Sequence, residues 1–303
     1  MQYIPTYIKL HEDSILKERI DKLNKMLESC TVCPHNCEVN RLKGEKGICN
    51  AGAELEVSST FPHFGEESPL VGIRGSGTIF LTHCNLKCVF CQNYDISHLG
   101  DGRKVTSEEL SDAMIYLQSL GCHNINFVTP THYTPQIISA LPRAIEKGLK
   151  IPLVYNCGGY ESLETLKLLD GIIDIYMPDT KFSSSKTASY YTKAKKYAEV
   201  LKDALKEMHR QAGDLIINDF GIAERGLLIR HLVMPEDLAG TREMMKFIAD
   251  KLSPKSFVNI MAQYRPCHLC YKYEKLNRRI TDIEYLNALM IAREAGIKRK
   301  VSD

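Results

Sequence analysis

The chain has 303 residues, 39 of them basic and 37 acidic, for a formal charge of +2 with neutral histidines, so bulk charge makes no case for a nucleic-acid or anionic-membrane binder. A composition that is 44% hydrophobic and 25% charged excludes a disordered or fibrous chain and leaves room for one large core or two ordinary domains. No apolar run approaches the ~20 residues needed to cross a bilayer, and the opening MQYIPTYIKLHEDSILKERI is charged where a signal peptide would be apolar; a cytoplasmic location is expected.

An amphipathic helix is predicted near Ser14–Leu27. It leads into Cys30-x2-Cys33-Pro-x2-Cys37, with Cys49 following in GEKGIC. The chain has 11 cysteines and no secretion signal, a pattern that points to metal rather than disulfides. Four thiolates close a site, either around zinc or around an auxiliary [4Fe–4S] cluster. A polar segment over Ser58–Pro69 follows, with Glu66 and Glu67 read as solvated loop carboxylates. A stretch this short cannot support a core unaided, so residues 1–70 read as a metal-stapled extension. Gly72, Gly75 and Gly77 precede a strand, whereas a dinucleotide fingerprint follows one.

From residue 78 onward, six apolar runs alternate with helical patterns. The runs are Thr78–Thr82, Asn124–Val128, Ile151–Asn156, Ile172–Tyr176, Leu227–Val233 and Ser256–Ala262. They lack clean in–out alternation, which is how strands covered on both faces read. Helices are predicted from Ser107, then near Pro135–Lys147, Ser162–Leu169, Tyr190–Gln211, Glu236–Leu252 and Thr281–Ala295. The alternation implies an α/β fold with a parallel sheet, either open and doubly wound or curved into an incomplete barrel. Both place functional loops beyond the carboxyl ends of the strands.

The loop after the first of these strands reads Thr82-His83-Cys84-Asn-Leu-Lys-Cys88-Val-Phe-Cys91. Three thiols in a C-x3-C-x2-C loop ligate three irons of a [4Fe–4S] cubane and leave the fourth open. An open iron can be chelated by the amino and carboxylate groups of S-adenosylmethionine (SAM), whose one-electron cleavage yields a 5′-deoxyadenosyl radical. A structural zinc with His83 as fourth ligand is the alternative, but it lacks the second cysteine pair such sites favour. Phe90 is expected to shield the last thiol from water, since solvent exposure sets the potential.

The blocks GEESPLVGIRGSGTIFLTHCNLKCVFCQN, NFVTPTHYTPQI, YNCGGYES, IDIYMPDTKF, RGLLIRHLVMP and NIMAQYRP resemble radical SAM enzymes similar to pyruvate formate-lyase activating enzyme. The resemblance spans roughly residues 30–297. It implies a partial (β/α)6 barrel over residues 71–270, with residues 271–303 as a C-terminal helix and tail.

In that family the methionyl group of SAM is held after the second strand, often by Gly-Gly-Glu. The same position here reads Val128-Thr129-Pro130-Thr131-His132, so Thr129 is carried over as a backbone contact and the acidic side chain is missing. Asn156 and Gly158 in Asn156-Cys157-Gly158-Gly159 are expected at the SAM carboxylate or ribose, and Cys157 as a hydrogen-atom donor or a buried apolar residue. Asp179-Thr180-Lys181 resembles the family's D-x-K contact. Arg230 matches an arginine facing the SAM carboxylate; an Arg within an apolar strand needs an anionic partner in any case. Gln263 and Tyr264 fall at the adenosine or substrate end. Cys267 and Cys270 form half a metal site. Lys193, Lys195, Lys196 and Lys202 read as a solvated face or a dock for an acidic partner, and Lys298–Lys300 as a disordered tail.

The resulting expectation is a radical SAM enzyme fed by a reductant such as flavodoxin or ferredoxin, and acting on a protein substrate if it is a glycyl-radical-enzyme activase. A radical SAM enzyme modifying a small metabolite or RNA is a second reading. A non-catalytic iron–sulfur or zinc protein is a third.

Overall fold

A computed structural model describes residues 3–301. One sheet organises the chain. Its strands are β1 (Leu55–His63), β2 (Ser76–Leu81), β3 (Arg103–Val105), β4 (Ile125–Val128), β5 (Leu153–Cys157), β6 (Ile175–Thr180), β7 (Ile216–Ile217), β8 (Ala223–Leu232), β9 (Phe257–Met261) and β10 (Arg299–Val301). The order across the sheet is β10-β9-β8-β6-β5-β4-β2-β1-β3, with β7 paired to β8.

From β2 through β4, β5, β6, β8 and β9 every pairing is parallel. These are the six strands expected from the apolar runs, except that the fourth runs over Ile175–Thr180 and overlaps the expected Ile172–Tyr176 only at its start. Every residue of β5 and β9 is buried, because helices cover the sheet and leave no face for alternation. The edges, β3 and β10, do not meet, so the fold is a mixed α/β partial barrel. Among the described residues no helix is long and apolar enough to cross a membrane.

Three expectations need correction. The polar stretch from Ser58 is largely β1, antiparallel to both β2 and β3. Its Ser-Ser-Thr run hid a strand because that run lies half-buried near the sheet edge, where a ladder of main-chain bonds does not require apolar side chains. The single helix expected over Tyr190–Gln211 is two, Ser185–Tyr191 and Tyr197–Ala212. The break is tied to the cysteine loop: Val89 N–H donates to Tyr191 O at 3.0 Å and Lys193 N–H to Leu86 O at 2.8 Å. The basic tail adds β10 in parallel to β9 instead of trailing free.

The N-terminal helices, Thr6–Glu12 and Ile15–Lys25, bury Tyr7, Leu16 and Leu23 in the same core as the barrel strands. Capping boxes start two other helices: Thr106 with Glu109 at Ser107–Ser119, and Thr281 with Glu284 at Asp282–Glu294.

Candidate functional site

The carboxyl ends of the parallel strands and the loops beyond them enclose a cavity of about 300 Å3. Cys84, Cys88, Cys91, Thr129, Asn156, Cys157, Gly158, Asp179, Lys181, Arg230 and Gln263 all line it. Residues singled out from six separate loops and strands therefore meet at one place.

The cysteine loop forms one wall. Cys88 is buried, and Cys84 and Cys91 are half-buried. Burial pushes the Cys84 thiol up to about 11 and Cys88 higher still, with Lys181 pulling Cys88 back. Leu86 N–H reaches Cys84 Sγ at 3.4 Å, and Ser97 Oγ lies 3.0 Å from Cys91 Sγ. His83 is occupied elsewhere, with its Nε2 3.3 Å from Glu56 Oε2. Phe90 lines the cavity and packs on Phe182 and Tyr264 at ring separations of 5.8 and 6.2 Å, as expected of an apolar shield.

Opposite the thiols is a buried charge network that the sheet register builds. Asp179 on β6 is the register partner of Arg230 on β8, and Arg230 in turn of Asn259 on β9. Arg230 Nε donates to Asp179 Oδ1 at 2.7 Å, Nη1 to Glu66 Oε1 at 2.9 Å and Nη2 to Asn156 Oδ1 at 2.7 Å. Lys181 Nζ holds the other oxygen, Asp179 Oδ2, at 2.6 Å. Burial alone would raise the Asp179 carboxyl, but Arg230 and Lys181 outweigh it and hold it below the ordinary range. A solvated surface ion pair would behave otherwise.

Glu66 corrects the sequence reading. Its side chain is only 9% exposed, and Oε2 accepts from Asn126 Nδ2 at 3.1 Å and Asn156 Nδ2 at 3.0 Å. Glu67 is also buried, both its oxygens accepting from Asn259 Nδ2. The available signal was the position of the pair inside the block GEESPLVGIRGSGTIFLTHCNLKCVFCQN that carries the family resemblance; polarity alone argued for solvent.

Glu161 was missed altogether. It is 2% exposed, accepts from Thr131 Oγ1 at 2.8 Å and Tyr155 OH at 3.1 Å, and is hydrogen-bonded by Cys157. Burial raises its carboxyl to about 7, partly offset by those bonds. Burial, then Glu161, raises the Cys157 thiol.

The glycines serve packing. A Cβ on Gly158 would lie 2.3 Å from Leu86 Cδ1, so the missing side chain lets the cysteine loop press against β5. Thr129 takes φ +62°, a left-handed conformation unusual for Thr, and its N–H donates to Asn156 O at 2.8 Å. His132 lies outside the lining, buried, with Nε2 2.8 Å from Thr82 O. Gln263 accepts from Gln92 at its carbonyl, and Tyr264 OH donates to Leu276 O. Cys267 and Cys270 do not line the cavity; Cys270 Sγ lies 3.4 Å from Tyr264 OH. Lys193, Lys195 and Lys196 are exposed at the helix break.

A family model described as the radical SAM superfamily matches residues 78–248. An uncharacterised protein of Methanocaldococcus jannaschii is 32% identical over 292 residues, which is 94% of this chain and 80% of that protein. Among solved structures, Streptococcus suis SuiB bound to precursor peptide SuiA aligns with TM-score 0.49 and 16% identity over 73% of this chain and 46% of SuiB. HydG, a maturase of the [FeFe]-hydrogenase, aligns with TM-score 0.48 and 14% identity over 73% of this chain and 50% of HydG. Methylornithine synthase (PylB) gives 0.47 and 12% over 74% of this chain and 70% of its own.

Proposed function

The chain belongs to the radical SAM superfamily, whose enzymes carry a [4Fe–4S] cluster and use S-adenosylmethionine, and we propose that Cys84, Cys88 and Cys91 hold that cluster on the cavity wall. The donor set fits. Three thiols of one loop face a shared cavity, with Lys87 pulling the Cys84 thiol down against burial and Lys181 doing the same at Cys88, and Lys87 Nζ is held by Ser97 O at 2.9 Å. Three thiolates satisfy three irons and leave the fourth for a small chelating ligand. When bound together, cluster and SAM supply a 5′-deoxyadenosyl radical by one-electron cleavage.

The chain's own residues bind and orient. Arg230, held between Glu66 and Asp179, presents its remaining N–H donors to the SAM carboxylate. Glu66 supplies the carboxylate for the SAM ammonium that Val128-Thr129-Pro130 lacks. Its Oε1 accepts from Arg230 at 2.9 Å and, over a longer 3.3 Å, from Glu67 N–H, and the longer bond is the one an ammonium would replace. Asp179 and Lys181 fix each other and border both the thiols and this network. Asn156 and the backbone at Thr129 and Gly158 complete the methionyl end, with Gln263 and Tyr264 at the adenosine end. Leu86, Phe90, Leu232 and Met261 exclude water from a radical that would otherwise be quenched.

The reaction we propose is hydrogen-atom abstraction from a glycine of a partner protein, the activase role, with a flavodoxin- or ferredoxin-class protein as electron donor. The activase half rests on sequence resemblance. The observation that carries the SAM site is the convergence of the three thiols and the Glu66–Arg230–Asp179–Lys181 network on one cavity.

Anaerobically loaded protein given dithionite and SAM should release 5′-deoxyadenosine and methionine. Absence of both from fully iron-loaded protein rejects the enzyme. A persistent glycyl EPR signal on an added partner supports the activase role, and SAM cleavage with no protein radical on any candidate partner rejects it.

A further inference from the structure

Four further cysteines lie outside the cavity, in the segment between the N-terminal helices and β1. Cys30 is 8% exposed and Cys33 and Cys49 are each 6% exposed, and all four are free thiols. The backbone gathers them. Cys30 N–H donates to Val39 O at 2.9 Å, Glu38 N–H returns to Cys30 O at 3.1 Å, and Asn36 N–H donates to Cys33 O at 3.1 Å. Two main-chain donors point at sulfur: His35 N–H at Cys33, and Ala51 N–H at Cys49 Sγ at 3.5 Å. Asn36, Glu38 and Asn50 all take left-handed φ, at +43°, +55° and +70°, the kind of local strain that gathers at ligand clamps. Cys37 Sγ would lie 2.7 Å from a Cβ on Gly47, so only glycine leaves that sulfur its place.

A second observation is independent of the thiols. Arg41, between Cys37 and Cys49 in sequence, is 1% exposed. Its hydrogen bonds go to Gly52 O and His132 O, neutral carbonyls. No carboxylate is salt-bridged to it among the described residues. A buried guanidinium without an anion is costly. The ionisable group that Arg41 does face is the Cys49 thiol, and Lys87, beside Cys84, faces the same thiol from the neighbouring cysteine loop. Two cations are thus directed at Cys49, a thiol that has no negative charge unless a metal deprotonates it. Four thiolates around zinc, or around an oxidised cubane, carry a net charge of about −2.

We propose that Cys30, Cys33, Cys37 and Cys49 hold one metal centre of the zinc or iron–sulfur class, whose negative charge is matched by Arg41 and Lys87, and that this centre braces the neighbouring cysteine loop. The brace has two ties. His35, inside the Cys33–Cys37 loop, places Nε2 2.7 Å from Asn85 O, between Cys84 and Cys88. Arg41 Nη1 donates to His132 O at 2.7 Å, and His132 Nε2 lies 2.8 Å from Thr82 O, two residues before Cys84. Among the described residues no three His, Cys, Asp or Glu side chains already close on one ion, so the thiols move together around zinc or each take a separate iron of a cubane.

The bracing half rests on the reading of Cys84–Cys91 as the cluster loop; the metal half does not, and the test separates them. Full-length protein carrying Cys84→Ala, Cys88→Ala and Cys91→Ala is prepared anaerobically and its metals counted. About one zinc or about four irons per chain supports the site and identifies the metal. Neither metal above background overturns it. Wild-type protein gives the same decision should that variant not fold: about four irons plus one zinc, or about eight irons, supports the site, and four irons alone overturns it. Arg41→Met should speed release of the second metal to a chelator at least about tenfold, as expected for loss of a charge-matched partner; an unchanged rate overturns the charge-matching. In His35→Ala the second metal stays while amide exchange across residues 82–92 rises at least about tenfold, a local opening. Unchanged exchange overturns the bracing.

Discussion

Cys84, Cys88 and Cys91 line a cavity, whereas Cys30, Cys33, Cys37 and Cys49 lie outside it, three of them no more than 8% exposed. The first group has one fewer sulfur than a cubane has irons; the second has the four that close a site. Their charged surroundings differ in the same sense. The cavity group looks across at a network of both signs, Glu66, Arg230, Asp179 and Lys181, already paired with one another. In the outer group the Cys49 thiol faces the cation Arg41, and Lys87 stands between the two groups, facing Cys84 first and then Cys49. A site that must admit and release a zwitterionic ligand needs polarity of both signs that can be re-shared; one that must hold a permanent anion needs only the opposite sign.

The sharpest way to break this comparison is to remove one thiol from each group. Cys88→Ala should eliminate detectable 5′-deoxyadenosine and cost about four irons per chain. Cys33→Ala should keep SAM cleavage at a reduced level and lower the melting temperature, because its centre contributes to folding. Equal product formation by the two variants would erase the distinction.

Arg230→Ala comes next in size. It leaves Glu66 and Asp179 buried without the cation that holds both, and breaking a buried ion pair by removing one partner costs about 3–5 kcal/mol. Chemical denaturation measures that loss. Arg230→Lys should restore part of the stability but not tight SAM binding, since an ammonium cannot reproduce the bidentate fork. Full recovery of both would reduce Arg230 to a point charge.

Glu66→Gln should weaken SAM binding by roughly tenfold to a hundredfold, the range for one hydrogen bond to a charged group. A SAM analogue without the amino group should bind wild type and variant alike. An equal loss for both ligands would mean that Glu66 only supports Arg230.

How far the chain could be read in advance depended on which force placed each residue. The six parallel strands were legible because covered strands are continuous apolar runs, as β5 and β9 are. Arg230 was legible because a guanidinium inside such a run demands an anion. That the anions would be Asp179 and Glu66 was only half legible. Asp179 sits on the adjacent strand in register, but Glu66 arrives from 164 residues away, a contact that local pattern does not encode. β1 and the helix break at residues 192–196 were hidden for a related reason. One is fixed by its main-chain ladder to β2, which needs no apolar pattern, and the other by Leu86 O, a partner distant in sequence.

Glu161 offers the smallest and most specific test. It lies beneath Cys157 on the cavity wall, and burial raises its carboxyl from the ordinary 4.5 to about 7. The folded chain therefore holds a proton there between about pH 4.5 and 7 that the unfolded chain releases. The sign follows: this contribution to stability is fully present below about pH 4.5 and is lost as pH rises through about 7. Asp174, likewise raised by burial from 3.8 to about 7, adds a loss in the same direction. Glu161→Gln keeps a neutral side chain of the same shape, so its melting temperature should rise relative to that of wild type between about pH 5 and 8. The background is one in which Asp174 loses stability with rising pH, while the buried His132 and His231 and the half-buried His98, held below the ordinary histidine range by burial, gain it. The outer group has no counterpart to remove. The same substitution should therefore leave the second metal's chelator sensitivity unchanged, and identical pH slopes for variant and wild type would show that Glu161 is already ionised in the folded protein.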